Sequence, residues 1–186
     1  MDLREAIVGR RSVREYTTRA PDEATIRRLL DAAVRAPSAV NQQPWTFTIV
    51  RNRGLLDQVS RAAKSHMLAN SPADVHSDHF KTILGDPAFQ IFHHAPVLIL
   101  ISAIAQDRWI IEDCAMAAEN LMLAAYGVGL GTCWIGFAQD YLNTPDGKSV
   151  LGLPSAWVSV APIIVGYPKA PPPPVPRKEA SVRWVD

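Results

Sequence analysis

Apolar positions recur along this chain with two periods, and the two periods divide it into helices and strands. Ile26, Leu29, Leu30, Ala33 and Val34 fall at i, i+3, i+4, i+7 and i+8. That is the stripe of an amphipathic helix, opening at Pro21-Asp22-Glu23 and stopping at Ala36-Pro37. Leu55 to Leu68 repeats the pattern, and Asp2 with Glu5 has the spacing of a capping box for a short helix ending near Gly9. Three runs read as strands. Trp45–Arg51 mixes β-branched and aromatic residues. Val97–Ser102 is continuously apolar, as a strand covered on both faces should be. Trp157–Val165 is the third and stops at Gly166. Residues 69–94, broken by Pro72 and Pro87, read as an irregular cover, and Leu142–Pro154 as a loop with a short helix.

One segment, Trp109 to Phe137, departs from both periods. Its helical part is apolar nearly all round, with only Glu112, Asp113, Glu119 and Asn120 to make a polar face. Such a helix is expected to be buried from several sides, in a core or at a subunit interface. Gly127, Gly129 and Gly131 are expected to end it, leaving a glycine-punctuated turn through Gly136. Helices outnumber strands, so the pattern predicts an α+β fold with helices packed on a small sheet. The 186 residues fit one domain on a prior of about 150 residues each. From Tyr167 to Asp186 the prolines at 168, 171–174 and 176 favour an extended arm.

Composition narrows the function. A net charge of +1 argues against a general nucleic-acid or membrane role. Cys114 and Cys133 sit in apolar sequence without metal or disulfide spacing, so buried free thiols in a reduced compartment are expected. The N-terminus has no basic-then-apolar signal region, which points to the cytoplasm.

Three stretches carry candidate chemistry. Arg10, Arg11, Ser12 and Arg14 at a helix end make a phosphate clamp or a solvated basic turn; guanidinium forks suit the first. Arg177, after the proline run, is a further candidate for the same anion. Pro37-Ser38-Ala39-Val40-Asn41-Gln42-Gln43-Pro44 offers amides and hydroxyls to a heteroaromatic edge, or is simply an Asn/Pro turn. Gly131 to Gly136 offers backbone N–H groups with little steric cover. It is no dinucleotide fingerprint, because the glycines end a helix rather than follow a strand. His93-His94 reads as surface or capping, as do His66, His76 and His79, and no metal site is expected.

RRSVREY, APSAVNQQPW, HAPVLILIS, GLGTCWIGF, IIVGYPK and a late Pro-Arg, in that order over nearly the whole chain, resemble the nitroreductase family of flavoproteins. The resemblance implies an α+β sandwich around a mainly antiparallel sheet, assembled as an intertwined homodimer with one FMN at each of two interface sites. The central helix would pack in the dimer interface and the arm would wrap the partner. It further implies that Arg10, Ser12 and Arg177 meet the FMN phosphate and ribityl chain, with Arg11 beside them, and that Arg14 lies near the pyrimidine end of the flavin. Pro37, Ser38, Ala39 and Asn41 would come from the partner subunit, and Trp134, Ile135 and Gly136 would pass the ring near N5. No protein acid or base is then required, because the flavin carries the chemistry. The implied activity is hydride transfer from NADPH or NADH to nitroaromatic, quinone or similar planar acceptors by a ping-pong cycle. The alternative is a flavin-storing or regulatory protein of the same fold. Two departures are visible. Ile135 stands where some members have Glu, leaving only its backbone to act. Residues 64–92 contain neither Glu nor Tyr, which argues against the lid of the halogenated-tyrosine reductases. Trp45, Phe89, Phe92 and Phe137 are candidates for lining an acceptor slot or for ordinary core packing.

Overall fold

Two short-range hydrogen-bond devices start the first helices where the sequence places them. In this computed structural model, which describes residues 2–70, 78–104 and 107–185 and the side chains of all but 78–80, α1 is Leu3–Gly9. The Asp2 carboxylate accepts from the Glu5 N–H at 2.7 Å, and the Glu5 carboxylate accepts from the Asp2 N–H at 3.0 Å. The second helix, α2 (Glu23–Ala33), is capped by Asp22, whose side chain accepts from the Thr25 N–H at 2.7 Å. It ends before the expected Ala36, because the Arg35 and Ala36 N–H groups turn to the Ala32 and Ala33 carbonyls in a tightened last turn.

The strands are β1 (Trp45–Val50), β2 (Val97–Ala103), β3 (Gly131–Trp134) and β4 (Val158–Gly166). They form one antiparallel sheet in the order β1-β2-β4-β3. In β2, Ile99 and Ile101 enter one core while Leu98 and Leu100 enter the other. That two-sided burial explains why β2 reads as an unbroken apolar run. One face is covered by α2 and α5 (Ile110–Gly127). The other is covered by α3 (Arg53–Asn70), the segment Ile91–Ala95 and α6 (Gln139–Leu142). The architecture is α+β, as the hydrophobic pattern predicts.

Two expectations are corrected. The glycine-rich stretch after α5 is not only a turn: Gly131–Trp134 pairs with Ile163–Gly166 as the edge strand β3. Four residues carry too little periodicity to announce a strand; the partner β4 decides it. Residues 69–94 are not irregular throughout, since α3 runs to Asn70 and α4 spans Asp78–Gly85. Pro72 and His76 lie outside the described residues, and so does the middle of the expected cover. Within one chain, α5 is buried along part of its surface. Cys114, Ala117, Ala118, Leu121 and Ala125 are buried, whereas Ile111 and Met116 are exposed. The short helix expected in 142–154 is α7, Pro145–Val150, with Thr144 as its cap.

Candidate functional site

The candidate site is built where the chain leaves α1. Arg10 is the C-cap of α1, and its N–H donates to the Ala6 carbonyl at 2.9 Å. The Arg11 guanidinium folds back on the carbonyls of Val8 (2.6 Å) and Arg10 (2.7 Å). This is how a cation meets the orphan carbonyls at a helix end. Arg11 therefore stabilises a helix terminus, while its Nε is buried without a partner. Arg10 reaches Glu119 on α5, at 3.6 Å.

Ser12 and Val13 then run beside β3, with the Val13 N–H donating to the Thr132 carbonyl at 2.9 Å. The approach is close enough to require glycine at 131, where a Cβ would lie 2.6 Å from Val13 Cγ2. On its other side the same segment is held by residues 167–169. The Thr17 N–H donates to the Tyr167 carbonyl at 2.9 Å, and the Lys169 N–H to the Glu15 carbonyl at 3.0 Å. Clamped between β3 and this strip, Ser12 and Arg14 present exposed side chains from a fixed backbone.

Arg14 borders a cleft of about 220 Å³ with Ile91, His93 and the run Cys133–Phe137. Electrostatics register the convergence. Burial pushes the Cys133 thiol up from its ordinary pKa, while Arg14, a hydrogen bond with Ser12 and Arg10 pull it back. Burial lowers the His93 imidazole, and Arg14 and His94 lower it further. Burial also raises the Tyr16 phenol, whose hydroxyl donates to the Val13 carbonyl at 2.7 Å beneath the same segment. Arg10, Ser12, Arg14, Trp134, Ile135 and Gly136 thus come together at one end of the molecule. A guanidinium, a hydroxyl and an open stretch of backbone can hold an anionic group and a planar polar ring.

The loop Pro37–Asn41 lies elsewhere. The Ala39 N–H donates to Asp113 Oδ1 at 3.0 Å, in the first turn of α5. Gly9, by contrast, abuts Tyr126 near the other end of that helix. Thirteen residues separate Asp113 from Tyr126, about 20 Å at 1.5 Å per residue. Within one chain the loop therefore sits by the first turn of α5, whereas Gly9 sits by its last. Val40 is 96% exposed, and Val40, Asn41 and Gln43 all take left-handed backbone, with φ of 45°, 56° and 49°. Side-chain bonds hold the shape: the Gln43 N–H donates to Ser38 Oγ at 2.9 Å, and Gln43 Nε2 to Asn41 Oδ1 at 3.0 Å.

Other sequence candidates divide. Trp45 and Phe92 are core residues, and Phe92 is fully buried. Phe137 borders the Arg14 cleft, and Phe89 packs edge-on to the His93 ring with centroids 5.7 Å apart. Arg177 is exposed on the arm, and no hydrogen bond or ion pair among the described residues joins it to Arg10 or Ser12. His93 is not a surface residue: it is half-buried in the cleft. Nothing in its neighbours' sequence announces the turn that puts it there. In the sequence, Asp113 is only one member of a sparse polar face. It is a buried carboxylate anchoring the Ala39 loop, with Oδ2 left unpaired.

Comparison with known proteins bears on this geometry. The model of the nitroreductase family matches residues 7–167. A provisionally named NADH dehydrogenase/NAD(P)H nitroreductase of Archaeoglobus fulgidus is 34% identical over 164 residues, spanning 88% of this chain and 83% of its own. Iodotyrosine deiodinase of Thermotoga neapolitana is 28% identical over 185 residues, spanning 94% of this chain and 93% of its own. A crystal structure of a nitroreductase with bound FMN from Bacteroides fragilis superposes with a TM-score of 0.86 at 27% identity, covering 100% of both chains. Arg177 lies beyond the residues that the family model matches.

Proposed function

The chain belongs to the nitroreductase family, and from that premise we propose that it is an FMN-dependent oxidoreductase. Its electrons would come from NADPH or NADH and pass to nitroaromatic, quinone or similar planar acceptors. The observation that carries this reading is the convergence of Arg10, Ser12 and Arg14 on the β3 edge beside Trp134–Gly136. A relative of known structure and full-length overlap holds FMN.

When bound, FMN supplies the hydride-accepting and hydride-donating ring position that links donor and acceptor in a ping-pong cycle. The chain supplies the rest. Arg10 and Ser12 would bind the phosphate and ribityl chain, with the fork of Arg10 suited to a phosphate. The clamp between β3 and residues 167–169 fixes the Arg14 backbone. From there its guanidinium would stabilise negative charge that develops on the ring when electrons arrive. The backbone of Trp134, Ile135 and Gly136 would face the ring with no side chain of Ile135 taking part, since Ile135 is buried. Arg11, tied to α1's carbonyls, supports the loop and its neighbours.

The exposed and strained Pro37–Asn41 loop, anchored at the first turn of α5, supports a homodimer. In it the loop of one chain, with Pro37, Ser38, Ala39 and Asn41, would complete the site of the other. The exposed Ile111 and Met116 of α5, with Leu3, Ile7 and Val8 of α1, are apolar surface for a second copy to cover. The arm carrying Arg177 would gain its contacts there. Two buried free thiols fit the cytoplasm as the compartment. Among the described residues no helix is long and apolar enough to cross a membrane.

The test is the absorption spectrum of the purified protein under anaerobic conditions, before and after NADPH and then NADH. Flavin bands that bleach with either nucleotide are expected. Bands that persist with both would make the protein a flavin carrier instead. No flavin uptake even with FMN supplied would remove the roles of Arg10, Ser12 and Arg14 together.

A further inference from the structure

The turn Ile91–His94 forms part of the cleft wall, and the family resemblance assigns it no role. Ile91 and Phe92 are buried to 1% and 0% exposure, and the Ile91 N–H donates to Ser60 Oγ at 3.0 Å. The His93 N–H donates to the Gln90 carbonyl at 2.9 Å, and the Ala95 N–H to the Phe92 carbonyl at 3.0 Å. Between these anchors His93 and His94 both take left-handed backbone, with φ of 51° and 53°. Two adjacent non-glycine residues in that region are costly, and they persist only where the surroundings over-determine them.

The effect of the turn is to aim one ring. His93 lines the cleft with Arg14, Cys133, Trp134, Ile135, Gly136 and Phe137. Phe89 fixes it edge to face at 75°. Phe89 is itself pinned by Lys64, whose buried ammonium donates to the Phe89 carbonyl at 2.6 Å and to the Asp86 carbonyl at 2.8 Å. Burial, Arg14 and His94 keep the imidazole below its ordinary pKa, so it is neutral near pH 7. A neutral imidazole has one donor and one acceptor. No hydrogen bond of the His93 ring is seen among the described residues. A polar ring held rigidly in a cleft, with its hydrogen-bonding capacity uncommitted, is suited to a ligand.

We propose that His93 is a ligand-binding side chain of this cleft, hydrogen-bonding through its imidazole to the heteroaromatic edge of the flavin. The inference rests on the flavin reading above. Arg14 provides charge to that ring, and His93 provides a directional bond that charge alone does not. The backbone strain of the turn is then the structural cost of presenting the imidazole next to the buried apolar Ile91 and Phe92.

The test compares the wild type, His93→Leu and His93→Gln in FMN titrations followed by quenching of flavin fluorescence, with thermal melts to establish folding. The expected result is FMN dissociation about two- to tenfold weaker for His93→Leu, the range of one neutral hydrogen bond, and largely restored for His93→Gln. The reduction potential of bound flavin should fall in His93→Leu, because a donor near the charge developing on reduction is lost. An unchanged dissociation constant and potential in a folded His93→Leu protein would overturn the proposal, even if the KM for an acceptor changed. Equal weakening in both variants would also overturn it, as a packing effect. Failure of the folded wild type to bind FMN at all would instead overturn the flavin reading, and this inference with it.

Discussion

The two ends of α5 lie near two segments, the proposed halves of a flavin site, that are built on opposite principles. Beyond its C-terminal end, Ser12–Arg14 is wedged between β3 and residues 167–169, bonded on both sides and backed by the buried Tyr16. At its N-terminal end, the Pro37–Gln43 loop projects into solvent, with three left-handed non-glycine residues and a nearly bare Val40. The first half is finished within one chain. The second spends conformational energy on a shape that touches nothing in its own chain's cleft. Strain held by specific bonds, such as Asp113 to Ala39, is a sign that the shape is used. On the proposed homodimer reading, a second copy of the chain would be that user.

The most severe test of that contrast mixes two defective proteins. Arg14→Ala damages one half and Asn41→Ala the other, so each homodimer should have two impaired sites. Co-refolded or co-expressed, the pair should regain roughly a quarter of the wild-type sites, because a mixed dimer concentrates both lesions in one site and leaves its other intact. Flavin content and nucleotide-driven bleaching would report it. No recovery despite verified mixed dimers would mean that each site is built within a single chain.

Arg14→Ala by itself sharpens the finished half. A lost charge-assisted contact is worth about 1.5–3 kcal/mol, or about ten- to a hundredfold in FMN affinity or in reduction rate. Titration and anaerobic stopped-flow measurements would read it, and unchanged values in both would leave Arg14 without its role. The next test concerns the wedge. Gly131→Ala places a methyl against Val13, and overpacking of this kind costs about 1–3 kcal/mol. Both melting temperature and FMN affinity should drop, whereas Gly152→Ala, at a positive φ of 64° and not lining the cleft, should lower only the first. Equal effects on FMN affinity from both would show that the wedge is not special.

The smallest expected effect lies outside both halves and serves as a reference. The hydrogen bonds from Thr25, side chain first and then backbone, hold the exposed Asp22 carboxyl below its ordinary pKa. A depressed folded pKa means that its stabilisation is complete above the unfolded value of about 3.9 and is lost as pH falls through the folded one. Asp22→Asn should therefore leave the melting temperature less dependent on pH below about 4, with FMN binding at neutral pH unaffected. Melts at several acid pH values would check it, and identical slopes for variant and wild type would contradict the capping account.

How much of this was legible in the chain follows from how far each feature's cause extends along it. The caps at Asp2 and Asp22, the α2 stripe and the unbroken run of β2 are set within a few residues, so the sequence by itself determined them, and with them the α+β class. The ordered motifs from RRSVREY to IIVGYPK likewise pointed to the family. Only the tertiary structure decided what depends on distant partners. Gly131–Trp134 becomes a strand because β4 lies beside it. Arg11 turns from a phosphate candidate toward the carbonyls ending α1. Asp113 becomes an anchor because Ala39, 74 residues earlier, needs an acceptor. His93 is aimed by Phe89, Lys64 and a clamped turn, none of which a His-His pair reveals. Local hydrogen bonds and periodic burial are written in neighbouring residues, whereas the placement of a side chain in a cleft depends on every element packed around it.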